Sequence, residues 1–514
     1  MMSAGQAEIE SGEADAVQTW FARRGALAFF LAAMVVGTAA RLRSGLDLPL
    51  WIDETFTATI ATTPDFAGLL RWCLTELTGP AFYAPMWLWT KVAGSSDFML
   101  RLPPLAIALA TPLLIAKFGH RDRTLALLWG GLCLLWLPLL PGSTEARAYP
   151  QLFLLGCLQA MAFIAVMRDF RRGTLLAWSG VTAVAVLTHY YALVVGGLQG
   201  LALLILFRRQ LLTAWLSLSP LVIAASWMAF HFSFLMQFAG TRFAAYEPLH
   251  WTYFFLTPML VFGVGFQGYV ILAALGWTRL RHWREAAPDL PERLLAWCGI
   301  LSVVILVLVG FWKASFAPRY LTSSMPALLF GLSLWARRHA SREPVAVAAA
   351  LGSLLIMMAT VMVAGSTDVR FEERRAMTIE PASAWIAERR PERLYFLWST
   401  PTGSVSSVPN LTDIAGFAFR RAGAPLDVHI VRSGDAPNDA LLDAAGNDPS
   451  AGMLWFSDNP LSAKNRPRIG AIDRSWECAD FSRALDEVGS TVTVYACRRP
   501  ATAARPSSSE MSKP

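Results

Sequence analysis

Two short stretches, LWIDETFTATI at residues 50–60 and STEARAYPQL at residues 143–152, place acidic side chains where long apolar segments end. The first contains the adjacent carboxylates Asp53 and Glu54, and the second contains Glu145 two positions before Arg147. Ionisable groups are costly within a bilayer and usually mark functional sites there. The two stretches therefore predict a helical membrane protein with a polar site at the membrane boundary.

The composition of the chain also favours a membrane protein. Of the 514 residues, 55% are hydrophobic and only 16% are charged. Apolar runs of about 17 to 25 residues, long enough to span hydrocarbon as helices, fill most of the chain between residues 26 and 365. We predict about eleven such spans, at residues 26–42, 98–117, 123–141, 149–167, 174–189, 191–207, 211–234, 251–276, 293–312, 319–336 and 344–364.

Basic residues in the short loops predict the orientation, since Lys and Arg are retained on the cytoplasmic side. Every second loop is basic, and the loops between them hold few Lys or Arg. The N-terminal tail, residues 1–25, is therefore expected in the cytoplasm, with both acidic motifs on the outer side of a plasma (inner) membrane. The basic loops carry Arg23 and Arg24; Lys117, Arg121 and Arg123; Arg168, Arg171 and Arg172; Arg208 and Arg209; Arg279, Arg281 and Arg284; and Arg337, Arg338 and Arg342.

The apolar run at residues 81–94, AFYAPMWLWTKVAG, is too short to span and contains Pro85. If it crossed the membrane, every later basic loop would fall on the wrong side. We interpret it as a helix lying on the outer surface, with Trp87 and Trp89 at the level of the headgroups. The first outer loop then covers residues 43–97, a length typical of functional loops.

The chain becomes more polar after residue 365. Strand-like runs alternate there with helical patterns such as PASAWIAERR and FSRALDEVG, which predicts a soluble α/β domain at residues 366–500, outside the cytoplasm. Residues 501–514 are typical of a disordered tail. The predicted strands are RLYFLW at 393–398, LDVHIV at 426–431, GMLWFS at 452–457 and TVTVYAC at 491–497.

The six cysteines divide by compartment. Cys478 and Cys497 are the two cysteines of the exported domain, and we predict that they form a disulfide; two separately buried thiols are the alternative. Cys133, Cys157 and Cys298 fall within spans, where they are interpreted as packing residues. No metal-ligand spacing is present, so no metal site is assigned, and a divalent metal stays an open alternative.

Several further ionisable groups are expected on the outer side, namely His189, Lys313 and Arg319. Basic residues kept there against the usual charge bias indicate that an anion binds, and neighbouring carboxylates indicate general-base chemistry or cation binding. Lys313 and Arg319 are suited to neutralise a phosphate that leaves. A carboxylate at the membrane boundary, for which Asp53 is our choice, is suited to deprotonate an attacking hydroxyl group.

Five motifs in this order resemble those of the GT-C glycosyltransferases. They are WIDETFT, LRLPPL at residues 100–105, EARAYPQLFLL, LTHYYALVV and FAPRYLTSSMPALL. The similarity covers residues 26–365, and is greatest to the polyprenyl-phosphate-sugar-dependent enzymes related to protein O-mannosyltransferases (glycosyltransferase family 39) and aminoarabinose transferases. Relatives often carry His-Pro-Pro before the surface helix, whereas this chain has Gly79 in place of the histidine.

The resemblance implies a membrane glycosyltransferase that transfers a sugar from a polyprenyl-phosphate donor to a lipid, glycan or protein acceptor. It implies that Asp53 is the catalytic base, that Glu54 supports it and that Glu145 is a second acidic position. A nucleic-acid partner is not expected. The residues that the motifs assign to the donor phosphate and substrate are Arg147, Tyr149, His189, Tyr190, Arg319 and Tyr320, and Lys313 joins them by its charge.

Structural roles stay open for the same residues. Asp53 is also suited to cap the helix that follows it, and Glu145 and Arg147 to form an ion pair at a helix end. His189 has an alternative as an interfacial packing residue, and Arg319 as a side chain that extends to lipid headgroups. Eleven spans would also suit a secondary transporter or lipid flippase, but such proteins usually have internal repeats and ionisable groups near the middle of the membrane.

Overall fold

The computed structural model describes residues 24–500 except 44–45, 47, 241–250, 278–288, 313–316, 341–342, 365–377, 400–406, 433–435, 458–466 and 485–490. Most of the predicted N-terminal tail and all of the tail at 501–514 therefore lie outside the described residues. The chain forms two compact units. The first contains residues 1–46 and 69–366, and the second contains residues 47–68 and 367–514.

The first unit is a bundle of helices. Its described α-helices are α1 (Arg24–Leu42), α3 (Phe66–Cys73, which begins in the second unit), α4 (Pro80–Ala93), α5 (Asp97–Phe118), α6 (Arg123–Leu134), α7 (Leu139–Gly142), α8 (Tyr149–Arg168), α9 (Arg172–Thr188), α10 (Ala192–Thr213), α11 (Ser219–Gly240), α12 (Thr257–Phe262), α13 (Phe266–Trp277), α14 (Leu290–Trp312), α15 (Met325–His339) and α16 (Pro344–Ala364). The helix α2 (Ile52–Ala61) belongs to the second unit.

Eight helices in the described part of the chain are long and apolar enough to cross a membrane. Three further spans were predicted where α6, α9 and α15 lie, and these helices have 12, 17 and 15 residues. The predicted total of eleven is therefore not confirmed. The eight long helices are α1, α5, α8, α10, α14 and α16, together with segments at Trp215–Met236 and Thr257–Leu275.

Prolines explain why two of these helices are shorter than predicted. The span expected at 123–141 ends as a helix at Leu134, four residues before Pro138. Proline lacks an N–H and its ring clashes with the carbonyl four positions earlier, which disfavours the continuation of α6 through Pro138. The span expected at 319–336 begins instead as a 3-10 turn at Pro318–Leu321, and α15 starts at Met325 with Pro326 in its first turn. Proline is well tolerated in a first turn.

Buried aromatic residues hold the centre of the bundle together. The Trp129 indole donates to the carbonyl of Pro326 over 3.0 Å, and the Trp136 indole donates to the carbonyl of Val261 over 2.8 Å. Both tryptophans are fully buried, and Trp129 also meets the ring of Phe330 edge to face. These bonds satisfy the indole N–H groups and join α6 and the turn after it to α15 and α12.

The second unit is an α/β domain. Its sheet has the strand order β2-β1-β3-β6-β4, in which β1 is parallel to β2 and β3, and β6 is antiparallel to β3 and β4. The strands are β1 (Arg393–Trp398), β2 (Asp427–Val431), β3 (Ala451–Ser457), β4 (Glu477–Asp480), β5 (Arg483–Ala484, paired with β6) and β6 (Thr491–Arg498). The helices are α17 (Glu380–Ala387), α18 (Val408–Arg421), α19 (Pro437–Ala445) and α20 (Ile469–Ile472).

The four strands predicted from the sequence correspond to β1, β2, β3 and β6, and their bounds differ by one residue at most. The helix predicted at FSRALDEVG is not formed at its start, because Arg483 and Ala484 pair with β6 as β5. The rest of that segment lies outside the described residues. Residues 47–68, which the sequence analysis placed in the membrane module, are part of the second unit.

Cys478 and Cys497 are opposite each other on β4 and β6, and their sulfur atoms are bonded at 2.06 Å. This is the pair that the sequence predicts. Cys133, Cys157 and Cys298 are free and buried, as is Cys73 in α3.

Replacing both Cys478 and Cys497 with Ser should lower the free energy of unfolding of the C-terminal domain by about 3 kcal/mol, because the bond closes a loop of about 20 residues. Limited proteolysis of the full chain in increasing urea would measure the loss. Reducing agent should destabilise the parent protein in the same way and leave the double variant unaffected. Alkylation of both thiols in protein that was never reduced would contradict the prediction.

Candidate functional site

A backbone contact between two loops of the first unit positions His189. The chain leaves α9 at Thr188, and His189 takes an extended conformation with φ −162° and ψ 133°. It forms an antiparallel bridge with Thr78, and the Gly79 N–H donates to the carbonyl of Thr188 over 2.9 Å. We call these four residues the clasp. The clasp fixes the start of α4 against the end of α9.

Gly79 permits the clasp because it has no side chain. A Cβ atom at this position would lie 2.0 Å from the carbonyl oxygen of Leu187, a backbone atom that cannot rotate away. The histidine that relatives often carry at this point would therefore not fit here. Gln151 of α8 stabilises the same region, since its amide donates to the carbonyl of Ala81 over 2.9 Å and to the hydroxyl of Thr188 over 3.1 Å.

Three rings are stacked beside the clasp. The Tyr191 and Tyr320 rings are nearly parallel, with centroids 4.5 Å apart and an interplanar angle of 9°. The His189 ring lies 5.2 Å from Tyr191 and 5.7 Å from Tyr320. The guanidinium carbon of Arg319 is 5.7 Å from the centre of the Tyr320 ring. The stack thus brings the connection between α9 and α10 together with the 3-10 turn that precedes α15.

Burial and the charges of two arginines, which come from different parts of the chain, lower the pKa of His189. His189 lies in the connection outside both helices, and its pKa is lowered to about 3, first by burial and then by the positive charges of Arg147 and Arg319. The imidazole is consequently neutral at neutral pH. Its Nδ1 accepts a long bond of 3.4 Å from the Tyr191 N–H, which places the proton on Nε2 as a donor. The site therefore combines two fixed cations with a neutral hydrogen-bond donor.

The loop of the second acidic motif is also buried. The Ser143 hydroxyl donates to the carbonyl of Leu140 over 2.6 Å and the Thr144 hydroxyl to that of Pro141 over 3.1 Å, which fixes the turn after α7. Glu145 is 6% exposed and Arg147 is 9% exposed. Their side chains are thus held inside the bundle instead of extending into water.

Tyr83 and Tyr191 belong to this site although the sequence analysis did not select them. Tyr83 in α4 is fully buried, and its phenol interacts electrostatically with Arg147. Burial raises the pKa of Tyr83 well above its usual value, and Glu76 acts in the same direction, so the phenol stays protonated. Tyr191 could have been found from the LTHYY motif. Tyr83 could not, because only the contact between α4 and the rest of the bundle reveals it.

Asp53 and Glu54 lie on α2 in the second unit. The N-cap of α2 is Trp51, so Asp53 is the second helical residue and not the cap. Glu54 contributes to capping instead, since its Oε2 accepts the Trp51 N–H over 3.4 Å. Glu54 is fully buried, whereas Asp53 is partly exposed. Its partial exposure leaves Asp53 the more accessible carboxylate of the pair.

No protein-family model and no curated protein matches the sequence. Solved structures do match the fold, among them two of one protein. The crystal structure of ArnT from Cupriavidus metallidurans in the apo state has a TM-score of 0.57 at 14% identity, covering 94% of this chain and 98% of the other. The structure of the same protein bound to undecaprenyl phosphate has a TM-score of 0.53 at 16% identity, covering 91% and 97%.

The chain has the GT-C fold. The likeness extends over nearly the whole length of both chains, so it includes the C-terminal domain as well as the helices. The family resemblance noted in the sequence ended at residue 365. The likeness to the solved structures therefore continues through a part of the chain in which no motif was detected.

Within the GT-C bundle, the structure brings together Arg147, His189, Arg319 and Tyr320. Tyr190 does not join them, because its hydroxyl is hydrogen-bonded to Nδ1 of His231 over 2.5 Å. His189 and Tyr190 are adjacent in the connection between α9 and α10, but their side chains contact different partners.

Tyr149 is buried in the apolar core cluster, against which Tyr191 of the ring stack also packs. Lys313 lies outside the described residues. From the sequence we predict that Asp53 and Glu54 converge on one cavity with Glu145 and Arg319. This convergence stays a prediction. Among the residues that the structure describes, no three His, Cys, Asp or Glu side chains are grouped closely enough to hold a metal ion.

Replacing Gly79 with Ala should destabilise the GT-C bundle by about 1 to 3 kcal/mol, because the added methyl group forces the clasp apart. Thermal unfolding of the purified protein in detergent would measure this. Gly180→Ala in α9 is the matched control, since a Cβ there meets no atom within 4 Å. That change should be neutral or slightly stabilising. Equal stability of the two variants would show that the clasp does not depend on close backbone contact.

Proposed function

We propose that this protein is a membrane glycosyltransferase that transfers a sugar from a polyprenyl-phosphate donor to a hydroxyl-bearing acceptor outside the cytoplasm. The observation that carries the proposal is the convergence of Arg147 and Arg319 on the neutral His189 within a GT-C fold. The likeness to a crystal structure that contains undecaprenyl phosphate supports the lipid class of the donor. The acceptor is a lipid, a glycan or a protein.

The proposed reaction makes one bond and breaks another at the anomeric carbon of the sugar. The acceptor oxygen attacks this carbon, and the bond between the carbon and the phosphate oxygen breaks, so the polyprenyl phosphate leaves with the electron pair. Negative charge then develops on the phosphate. Fixed donors that point to such a charge lower the barrier, because they need no reorganisation during the reaction. Arg147 and Arg319 supply the positive charge, and Nε2–H of His189 supplies a hydrogen bond.

The proton of the acceptor hydroxyl goes to Asp53 in this mechanism. A carboxylate that serves as general base must be within reach of the substrate, and the partly exposed Asp53 meets that requirement better than the buried Glu54. Glu54 acts on the helix that carries Asp53, through its bond to the Trp51 N–H. Glu145 is the second acidic group, held in the buried turn before Arg147.

The proposed orientation follows the basic loops. The N-terminus lies in the cytoplasm of a cell with a plasma (inner) membrane, and the C-terminal domain lies outside, where its disulfide can form. The acceptor would then be a component of the cell envelope.

A secondary transporter or lipid flippase is the other class considered. Charged residues of the long described helices lie near their ends, as at Arg101 in α5 and Arg168 in α8. His231 is an ionisable residue that falls near the middle of α11. It is hydrogen-bonded to Tyr190 there. A transport path usually requires several such groups. This distribution therefore favours the transferase.

Arg319→Ala should weaken the binding of undecaprenyl phosphate about 10- to 100-fold, the usual effect of losing a hydrogen bond to a charged group. Turnover of a labelled polyprenyl-phosphate sugar should fall with it. Equilibrium binding of radiolabelled undecaprenyl phosphate to purified protein would measure the loss. Arg121→Ala is the control, because Arg121 is exposed in the loop after α5. Unchanged binding by Arg319→Ala would exclude this arginine from the donor site.

Asp53→Asn should reduce turnover by about 100- to 10,000-fold, the range typical of losing a general base, and leave donor binding nearly unchanged. Release of label from a panel of polyprenyl-phosphate sugars in the presence of envelope extract would measure it. Asp65→Asn is the matched control in the same segment, because Asp65 is exposed and bonds only locally, to the Gly68 N–H. A near-normal rate for Asp53→Asn would move the role of base to Glu54 or Glu145.

A further inference from the structure

The helix that carries Asp53 packs against a domain that lies far from it in sequence. Helix α2 contacts α18, and both belong to the second unit. A ten-residue helix is too short to be stable alone in water, since isolated helices shorter than about 12 to 15 residues are marginal. The conformation of α2 therefore depends on what it packs against.

One aromatic contact joins α2 to the sheet. The ring of Phe56 lies 6.0 Å from the ring of Trp398, with an interplanar angle of 30°. Phe56 follows Asp53 by three positions, so the two side chains are neighbours on the helix surface. Trp398 is 6% exposed and also packs against Phe456, with centroids 4.4 Å apart. Trp398 is thus held by the sheet and in turn contacts α2 within one turn of Asp53.

The topology of the sheet explains why the carboxyl end of β1, where Trp398 lies, can contact another segment. Strand β1 lies between β2 and β3, so the connections that follow β1 and β3 lead away in opposite directions. In parallel α/β sheets, the carboxyl ends of such strands border a crevice where ligands usually bind. Trp398 is the last residue of β1, and Phe456 is its partner on β3. Here Phe56 of the chain's own α2 contacts the edge where other domains of this type hold a ligand.

We infer that Trp398 is a positioning residue for Asp53: the C-terminal domain holds α2 through the pair Phe56 and Trp398, and so fixes the carboxylate that deprotonates the acceptor. This inference rests on the proposed function. Trp398 touches neither substrate nor the reacting atoms in this scheme. Trp398 acts by holding α2 in place. The C-terminal domain is then part of the catalytic machinery.

The deciding variant is Trp398→Ala in the full-length protein, compared with Trp455→Ala. Trp455 is a fully buried tryptophan on the neighbouring strand, but it packs on the opposite face of the sheet with Leu397 and Leu441. Trp455→Ala should destabilise the C-terminal domain by about as much as Trp398→Ala does. It removes no ring contact to α2. Trp398→Phe retains a ring at the contact and should restore function.

Two measurements are made on each variant at a temperature where it is folded. Hydrogen exchange of the amides in residues 52–61 should speed up in Trp398→Ala and stay normal in Trp455→Ala. The kcat of Trp398→Ala should fall about 100-fold, since a displacement of about 1 Å can cost that much, while binding of undecaprenyl phosphate is unchanged. Phe56→Ala combined with Trp398→Ala should lose no more than the worse single variant, because both remove the same contact.

The outcomes separate the two proposals. Normal exchange in α2 of Trp398→Ala, or normal kcat despite faster exchange, would overturn the positioning role and leave the transferase assignment intact. Multiplicative losses in the double variant would also overturn it. A parent protein that releases no label from any polyprenyl-phosphate sugar would contradict the proposed function itself, and with it the role of Trp398 in catalysis.

Discussion

The close approach of two backbones at Gly79 is the constraint on which the candidate site depends. With the oxygen of Leu187 only 2.0 Å from where a Cβ would lie, the loop before α4 can bond to the end of α9 directly. That bond leaves His189 extended at the end of a helix, an arrangement that turns its ring toward Tyr191 and Tyr320. The contacts of the His189 ring with Tyr191 and Tyr320 depend on this placement.

The electrostatics of the site follow from its burial. Arginine stays protonated under almost all conditions, whereas histidine loses its proton readily when it is buried beside cations. The site therefore keeps its positive charge in Arg147 and Arg319 and keeps His189 neutral. An anion that binds at this site would meet the positive charge of Arg147 and Arg319 and a hydrogen-bond donor on His189.

The sequence predicted the parts of the structure that depend on local pattern. The strands β1, β2, β3 and β6 were predicted within one residue, because alternating apolar runs bounded by turn residues are a local signal. Hydropathy also identified most of the long helices. It did not identify the end of α6 at Leu134, since the steric effect of Pro138 is not part of a hydropathy sum.

Predictions failed or stayed untested where distant segments meet. The resemblance assigned both His189 and Tyr190 to the donor and substrate, and that assignment stays untested; in the structure His189 stacks with Tyr191 and Tyr190 is hydrogen-bonded to His231. Tyr83 gave no signal because its role depends on packing between α4 and the loop of Arg147. Helix α2 was grouped with its neighbours in sequence, whereas it packs with a domain about 300 residues later.

The separation of α2 from its partners also affects how the protein is made. Roughly 340 residues lie between Phe56 and Trp398, and a ribosome that adds about 5 to 20 residues per second needs about 20 to 70 s to synthesise them. During this interval the nascent chain inserts its membrane helices while α2 has no sheet to pack against. The contacts of α2 with Trp398 and with α18 can form only after those later segments have been synthesised. A translation product that ended before β1 would therefore lack the strand that Phe56 of α2 contacts.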